Sequence, residues 1–101
     1  MQNNRFIIPE KQIAVFCKRW NITEFSLFGS ALRADFRADS DVDVLVTISP
    51  EAHISLLDIA QMQIELEAIF NRPVDLVEKE ALRNPYRKRE ILRTAQVVYA
   101  A

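Results

Sequence analysis

A chain of 101 residues, half of them hydrophobic, has the length for one domain around one buried core, so a single domain over residues 1–101 is expected. A formal net charge of -1 excludes a global field that would draw the chain to nucleic acid or to an anionic membrane. The single cysteine, Cys17, excludes an internal disulfide and fits a reducing compartment. No apolar run approaches the length of a membrane span or of a secretory leader, so a soluble cytoplasmic protein is expected.

Taken in order, Pro9 suits the first turn of a helix, where its missing N–H costs nothing. Ile13, Phe16, Cys17 and Trp20 then fall at i, i+3, i+4 and i+7, which predicts one apolar helix face closed by Asn21. Ile22 to Phe28 reads as a strand, with Phe25 and Leu27 on one face and Ser26 and Phe28 on the other. Gly29 ends it. Ser30 to Ala34 reads as a short helix capped by Ser30, and Asp35 to Ser40 as a polar loop. Asp41 to Ile48 is a strand with Val42, Val44 and Val46 on one side. Asp41, Asp43 and Leu45 occupy the other, so the acids fall at its exposed end. Ser49-Pro50-Glu51 reads as a helix start. That helix should run to Phe70, with Leu57, Ala60, Ile64 and Ala68 inward and Leu56, Ile69 and Phe70 flanking. Asn71-Arg72-Pro73 breaks it. Val74 to Val77 is a short strand, Asn84-Pro85 a second cap, Tyr86 to Thr94 a basic helix and Gln96 to Tyr99 a last strand. The fold class is α/β (α+β), a mixed sheet flanked by helices.

The residues that carry chemistry lie between Leu27 and Val46, and at Asp75. Gly29 is the only glycine. A glycine followed by serine lets a strand turn tightly and present N–H groups to a phosphate; a plain tight turn is the structural alternative. Asp41 and Asp43, two apart on a strand, point the same way about 7 Å apart and suit a hard cation such as Mg²⁺. A solvated strand end is the alternative here. A calcium loop is rejected, because Val44 and Pro50 stand where glycine and glutamate are needed. A Walker loop and a dinucleotide fingerprint are both absent. Asp75 interrupts an apolar run, and an ionised carboxylate there should either face water or meet a partner. Beside Asp43 on a neighbouring strand it would complete a three-carboxylate set able to hold two Mg²⁺ ions and take a proton.

Leu27-Phe28-Gly29-Ser30-x-x-Arg33, followed by Asp39-Ser40-Asp41-Val42-Asp43-Val44-Leu45-Val46, resembles the minimal nucleotidyltransferase proteins of the polymerase β-like superfamily. The resemblance covers nearly the whole chain. It implies that fold, Mg²⁺ held by Asp41 and Asp43, and Asp75 as third catalytic acid and metal ligand. It also implies a nucleotide-phosphate turn at Gly29 and Ser30, with Arg33 touching phosphate or fixing the loop; a salt bridge from Arg33 to Asp35 or Asp39 is the plain alternative. Ala34 departs from the glycine that the family often has there. The resemblance further implies a magnesium-dependent antitoxin that transfers AMP from ATP to a tyrosine of a HEPN-domain toxin. Two other readings stay open: a catalytically silent antitoxin that neutralises its toxin by binding alone, and a transferase acting on a small molecule or an RNA end. Arg83, Arg87, Lys88, Arg89 and Arg93 form a solvated basic face or a contact for a partner or the triphosphate. Only Tyr86 interrupts them, so they are not read as an RNA platform. His53 is expected at the surface, and Cys17 in the core.

Overall fold

The computed structural model describes residues 8–29 and 41–101. The expected short helix at 30–34 and the loop at 35–40 lie outside the described residues, as do Ser30 and Arg33. Helix α1 spans Glu10–Trp20 directly after Pro9 and buries Ile13, Phe16 and Cys17, the face set by their spacing. Burial pushes the Cys17 thiol up to about 12, so it behaves as a small apolar group. Asn21 ends the helix in the left-handed conformation, φ 59°, with its N–H donating to the Cys17 carbonyl. Asparagine tolerates that geometry better than most residues. Asn71 does the same at φ 55° after α2.

Strands β1 (Ile22–Phe28), β2 (Val42–Ile48), β3 (Val74–Glu78) and β4 (Gln96–Ala100) form one sheet in the order β3-β2-β1-β4. β1 runs antiparallel to β2 and β4, and β2 runs parallel to β3, so the sheet is mixed. Helix α2 (Leu56–Phe70) makes the crossover that a parallel pair requires. A 3₁₀ turn at Lys79–Ala81 precedes α3 (Pro85–Thr94). α3 starts where Asn84 caps the Tyr86 and Arg87 N–H groups, with Pro85 in the first turn.

Both faces of the sheet are covered, unequally. On one, Phe25, Leu27, Val42, Val44 and Val46 join Ile13, Phe16, Met62 and Leu66 from α1 and α2 in the main core. On the other, Phe28 and Leu45 meet Ile91 of α3 in a smaller cluster. The alternation expected for β1 and β2 is therefore present, with both faces finding apolar partners.

α2 departs from expectation twice. It starts at Leu56, because Ser55 and Asp58 form a capping box in which each side chain accepts from the other's backbone N–H. Pro50 instead lies in a turn closed by the Ala52 N–H on the Ser49 carbonyl, 3.0 Å. The inward stripe is also different. Met62, Leu66 and Phe70 are buried and Ile59 and Ile69 pack beside them, whereas Leu57, Ala60, Ile64 and Ala68 are exposed. Both stripes have helical spacing. The one with Met62, Leu66 and Phe70 removes more apolar area from water than one half made of alanine.

Glu65 joins the two helices. It accepts from Trp20 Nε1 at 2.8 Å and Gln61 Nε2 at 3.0 Å, and pairs with Arg19 Nη1 at 2.8 Å. Burial raises the Glu65 carboxyl's pKa, but the Trp20, Gln61 and Arg19 contacts together outweigh it and hold the value below the ordinary 4.5. Arg19 also lies over the Trp20 ring, 5.1 Å from its centroid.

Candidate active site

β2 and β3 begin side by side. The Val42 N–H donates to the Pro73 carbonyl at 2.9 Å, and the register pairs Val42 with Val74 and Asp43 with Asp75. Val42 and Val74 both belong to the main core, so alternation sends Asp43 and Asp75 to the opposite, α3 side of the sheet. Neighbouring strands lie about 4.8 Å apart, so Asp43 and Asp75 start from adjacent backbone positions although they are far apart in the sequence. Asp41 lies two residues before Asp43, just ahead of the first residue of β2. Exposure follows this order: Asp41 is exposed, Asp43 half-buried and Leu45 buried. Asp75 is exposed as well.

Gly29 meets the same place from β1. Phe28 pairs with Asp43 across the antiparallel ladder, which brings the residue after Phe28 against the Asp43 side chain. Gly29 has φ +65°, and a Cβ built there would fall 2.3 Å from Asp43 Oδ2 and 3.2 Å from its Cγ. The glycine is needed twice over: for a left-handed backbone that side chains resist, and for the space the carboxylate fills. Gly29, Asp43 and Asp75 are thus brought to one end of three neighbouring strands, with Asp41 at the rim.

Three residues that the sequence alone did not single out hold this end in place. Pro73 accepts from Val42, as above. Glu67 Oε2 accepts from the Val74 N–H at 3.1 Å, and Gln63 Nε2 donates to the Val74 carbonyl. Gln63 and Glu67 sit one turn apart on α2 and are bonded to each other at 3.2 Å, gripping the backbone just before Asp75. They are positioning residues. The signal in the sequence was their i, i+4 spacing on a helix ending four residues before β3.

The donor set suits a divalent cation in kind: carboxylate oxygens are hard ligands of the type Mg²⁺ prefers. The missing Cβ at Gly29 is what lets the Asp43 carboxylate lie against the bend that ends β1. Among the described residues, no group of three His, Cys, Asp or Glu side chains already stands at the spacing of a metal cage. The basic helix lies over the same face of the sheet through Ile91. Its Arg87 and Arg89 are exposed, and Arg93 pairs with Glu90 one turn back. His53 is exposed, as expected.

A mixed sheet that gathers paired aspartates beside a glycine bend is the architecture of a nucleotidyl-transfer domain. Residues 9–98 match the nucleotidyltransferase domain family, and the chain belongs to it. The protein adenylyltransferase MntA of Thermococcus cleftensis is 39% identical over 82 residues, which cover 81% of this chain and 78% of that one. A solved structure assigned as a minimal nucleotidyltransferase is 31% identical with a TM-score of 0.71, covering 86% of each chain. A complex of the tri-AMPylated HEPN toxin of Shewanella oneidensis with its MNT antitoxin contains a chain that matches at TM-score 0.65 and 15% identity. That match covers 91% of this chain and 70% of the other, and at that identity it is a likeness of fold. The fold and enzyme class expected from the Gly-Ser and Asp-x-Asp motifs are therefore those of the family.

Proposed function

We propose that this protein is a protein adenylyltransferase that moves AMP from ATP onto a tyrosine hydroxyl of a HEPN-domain toxin in the cytoplasm, and so acts as the toxin's antitoxin. The observation that carries the reading is the Asp43–Asp75 register with Gly29 packed against Asp43. The relative named as a protein adenylyltransferase, and the complex of an AMPylated HEPN toxin with an MNT antitoxin, support the donor and the partner.

In this reading Asp41, Asp43 and Asp75 would hold Mg²⁺, two ions in a full site. Bound Mg²⁺ would supply charge stabilisation for the attacking, non-bridging and leaving oxygens. Gly29, Ser30 and Arg33 take the phosphates. The acceptor oxygen bonds to the α-phosphorus as the bond from that phosphorus to the β-phosphate's bridging oxygen breaks. Pyrophosphate leaves, and the hydroxyl proton passes to Asp75. Residues 1–101 form one nucleotidyltransferase domain in this reading, and the partner supplies the acceptor hydroxyl.

The test is incubation with Mg²⁺, ATP and the HEPN-domain protein encoded beside it. An AMP-sized mass gain on the toxin is expected, and it should vanish in the double variant Asp41→Asn, Asp43→Asn. If that variant neutralises the toxin as well as the wild type does, binding alone suffices and the catalytic reading fails.

A further inference from the structure

β2 lies inside the sheet and β3 at its edge, so the acids they carry are supported differently. Asp43 has a hydrogen-bonded strand on either side and the Gly29 bend against its carboxylate. Asp75 has a strand on one side only, and it is exposed. Packing does little to fix such a side chain, so its aim depends on the backbone that carries it.

α2 holds that backbone from the open side. The Val42 N–H bonds to the Pro73 carbonyl. In a parallel ladder this register turns the N–H and C=O of Val74 away from β2. An edge strand ordinarily leaves such groups to water. Here Glu67 Oε2 accepts from the Val74 N–H at 3.1 Å, and Gln63 Nε2 donates to the Val74 carbonyl. One acceptor and one donor do for Val74 what a further strand would do. The bond of 3.2 Å from Gln63 to Glu67 assigns the two roles, because a carboxylate only accepts and the amide nitrogen only donates. Both side chains are half-buried, which reduces competition from water. The Val74 carbonyl belongs to the rigid peptide plane shared with Asp75. Holding that plane sets the direction in which Asp75 leaves the strand.

We propose that Gln63 and Glu67 aim Asp75, and so set the rate of the transfer step without contributing to ATP binding. This rests on the reading of Asp75 as the acid that takes the acceptor proton. The test measures kcat and KM for ATP in AMP transfer to the HEPN-domain protein, for Glu67→Ala, Glu67→Gln and the exchanged pair Gln63→Glu with Glu67→Gln. A second readout needs no turnover: Mn²⁺ in place of Mg²⁺ broadens the carboxyl NMR signals of the acids that hold it. Removing groups that orient a metal ligand costs about 10–100-fold, so Glu67→Ala should lower kcat by that factor and leave KM nearly unchanged. Its Mn²⁺ broadening should weaken at Asp75 and persist at Asp43. Glu67→Gln keeps an oxygen for the Val74 N–H and should stay within about threefold of wild type. The exchanged pair has the same composition and charge but sets a carboxylate against the Val74 carbonyl, so it should behave like Glu67→Ala. Should Glu67→Ala fail to fold by circular dichroism, Gln63→Ala is measured with the same expectation. A kcat within about twofold of wild type in the alanine variant overturns the proposal, as does broadening lost equally at Asp43 and Asp75. A wild-type chain that transfers no AMP defeats the reading of the site; selective loss of broadening at Asp75 would still support the clamp, and unchanged broadening would overturn it.

Discussion

Gly29 is where backbone conformation and site chemistry depend on one another. Its positive φ and the Asp43 carboxylate in its Cβ position make even alanine a poor fit. Gly29→Ala should cost about 1–3 kcal/mol from backbone strain and displace Asp43 as well. Thermal unfolding checks the first effect. Calorimetric titration with ATP and Mg²⁺ checks the second, where the expected outcome is a loss of binding larger than the loss of stability explains. Both partners were legible in the sequence: the lone glycine stood out by composition, and Asp43 by its alternation with valines. Their contact was not, because it depends on how β1 and β2 pair.

At the level of the element, α2 shows what periodicity resolves and what it leaves open. The end at Asn71 was legible from Asn-Arg-Pro. The start was legible too, in principle, as Ser55-Leu-Leu-Asp58, but Ser49-Pro50-Glu51 offered a competing signal. The capping box prevails because it satisfies two otherwise unpaired N–H groups at once. Ser55→Ala should lower stability by about 1 kcal/mol, measured by urea unfolding, whereas Ser49→Ala should have a smaller effect because it removes only a turn contact. Which α2 stripe faces inward could not be read locally. Leu57, Ala60, Ile64 and Ala68 form as regular a stripe as Ile59, Met62, Leu66 and Phe70, and only the sheet selects between them.

Across the whole molecule, Glu65 ties α1 to α2 over the main core. Its carboxyl is held below the ordinary value in the folded state. A depressed folded-state pKa adds stability above the unfolded value, and that stability is lost as pH falls through the folded one. Acid unfolding should therefore draw on Glu65 from about pH 4.5 downward. Glu65→Gln should cost about 1 kcal/mol at neutral pH and flatten the fall in stability over that acid window, as followed by denaturant melts at stepped pH. No helix among the described residues is long and apolar enough to cross a membrane.

The sequence by itself determined the strands, the helix ends at Asn21 and Asn71, the cap at Asn84 and the identity of the acids. Each rests on interactions within a few residues: alternation, a left-handed cap, a side chain reaching a nearby N–H. Tertiary structure decided the strand order, the side of α2 that is buried and the meeting of Asp43 with Asp75 and Gly29. Those depend on hydrogen bonds and packing between segments tens of residues apart, which local spacing does not encode.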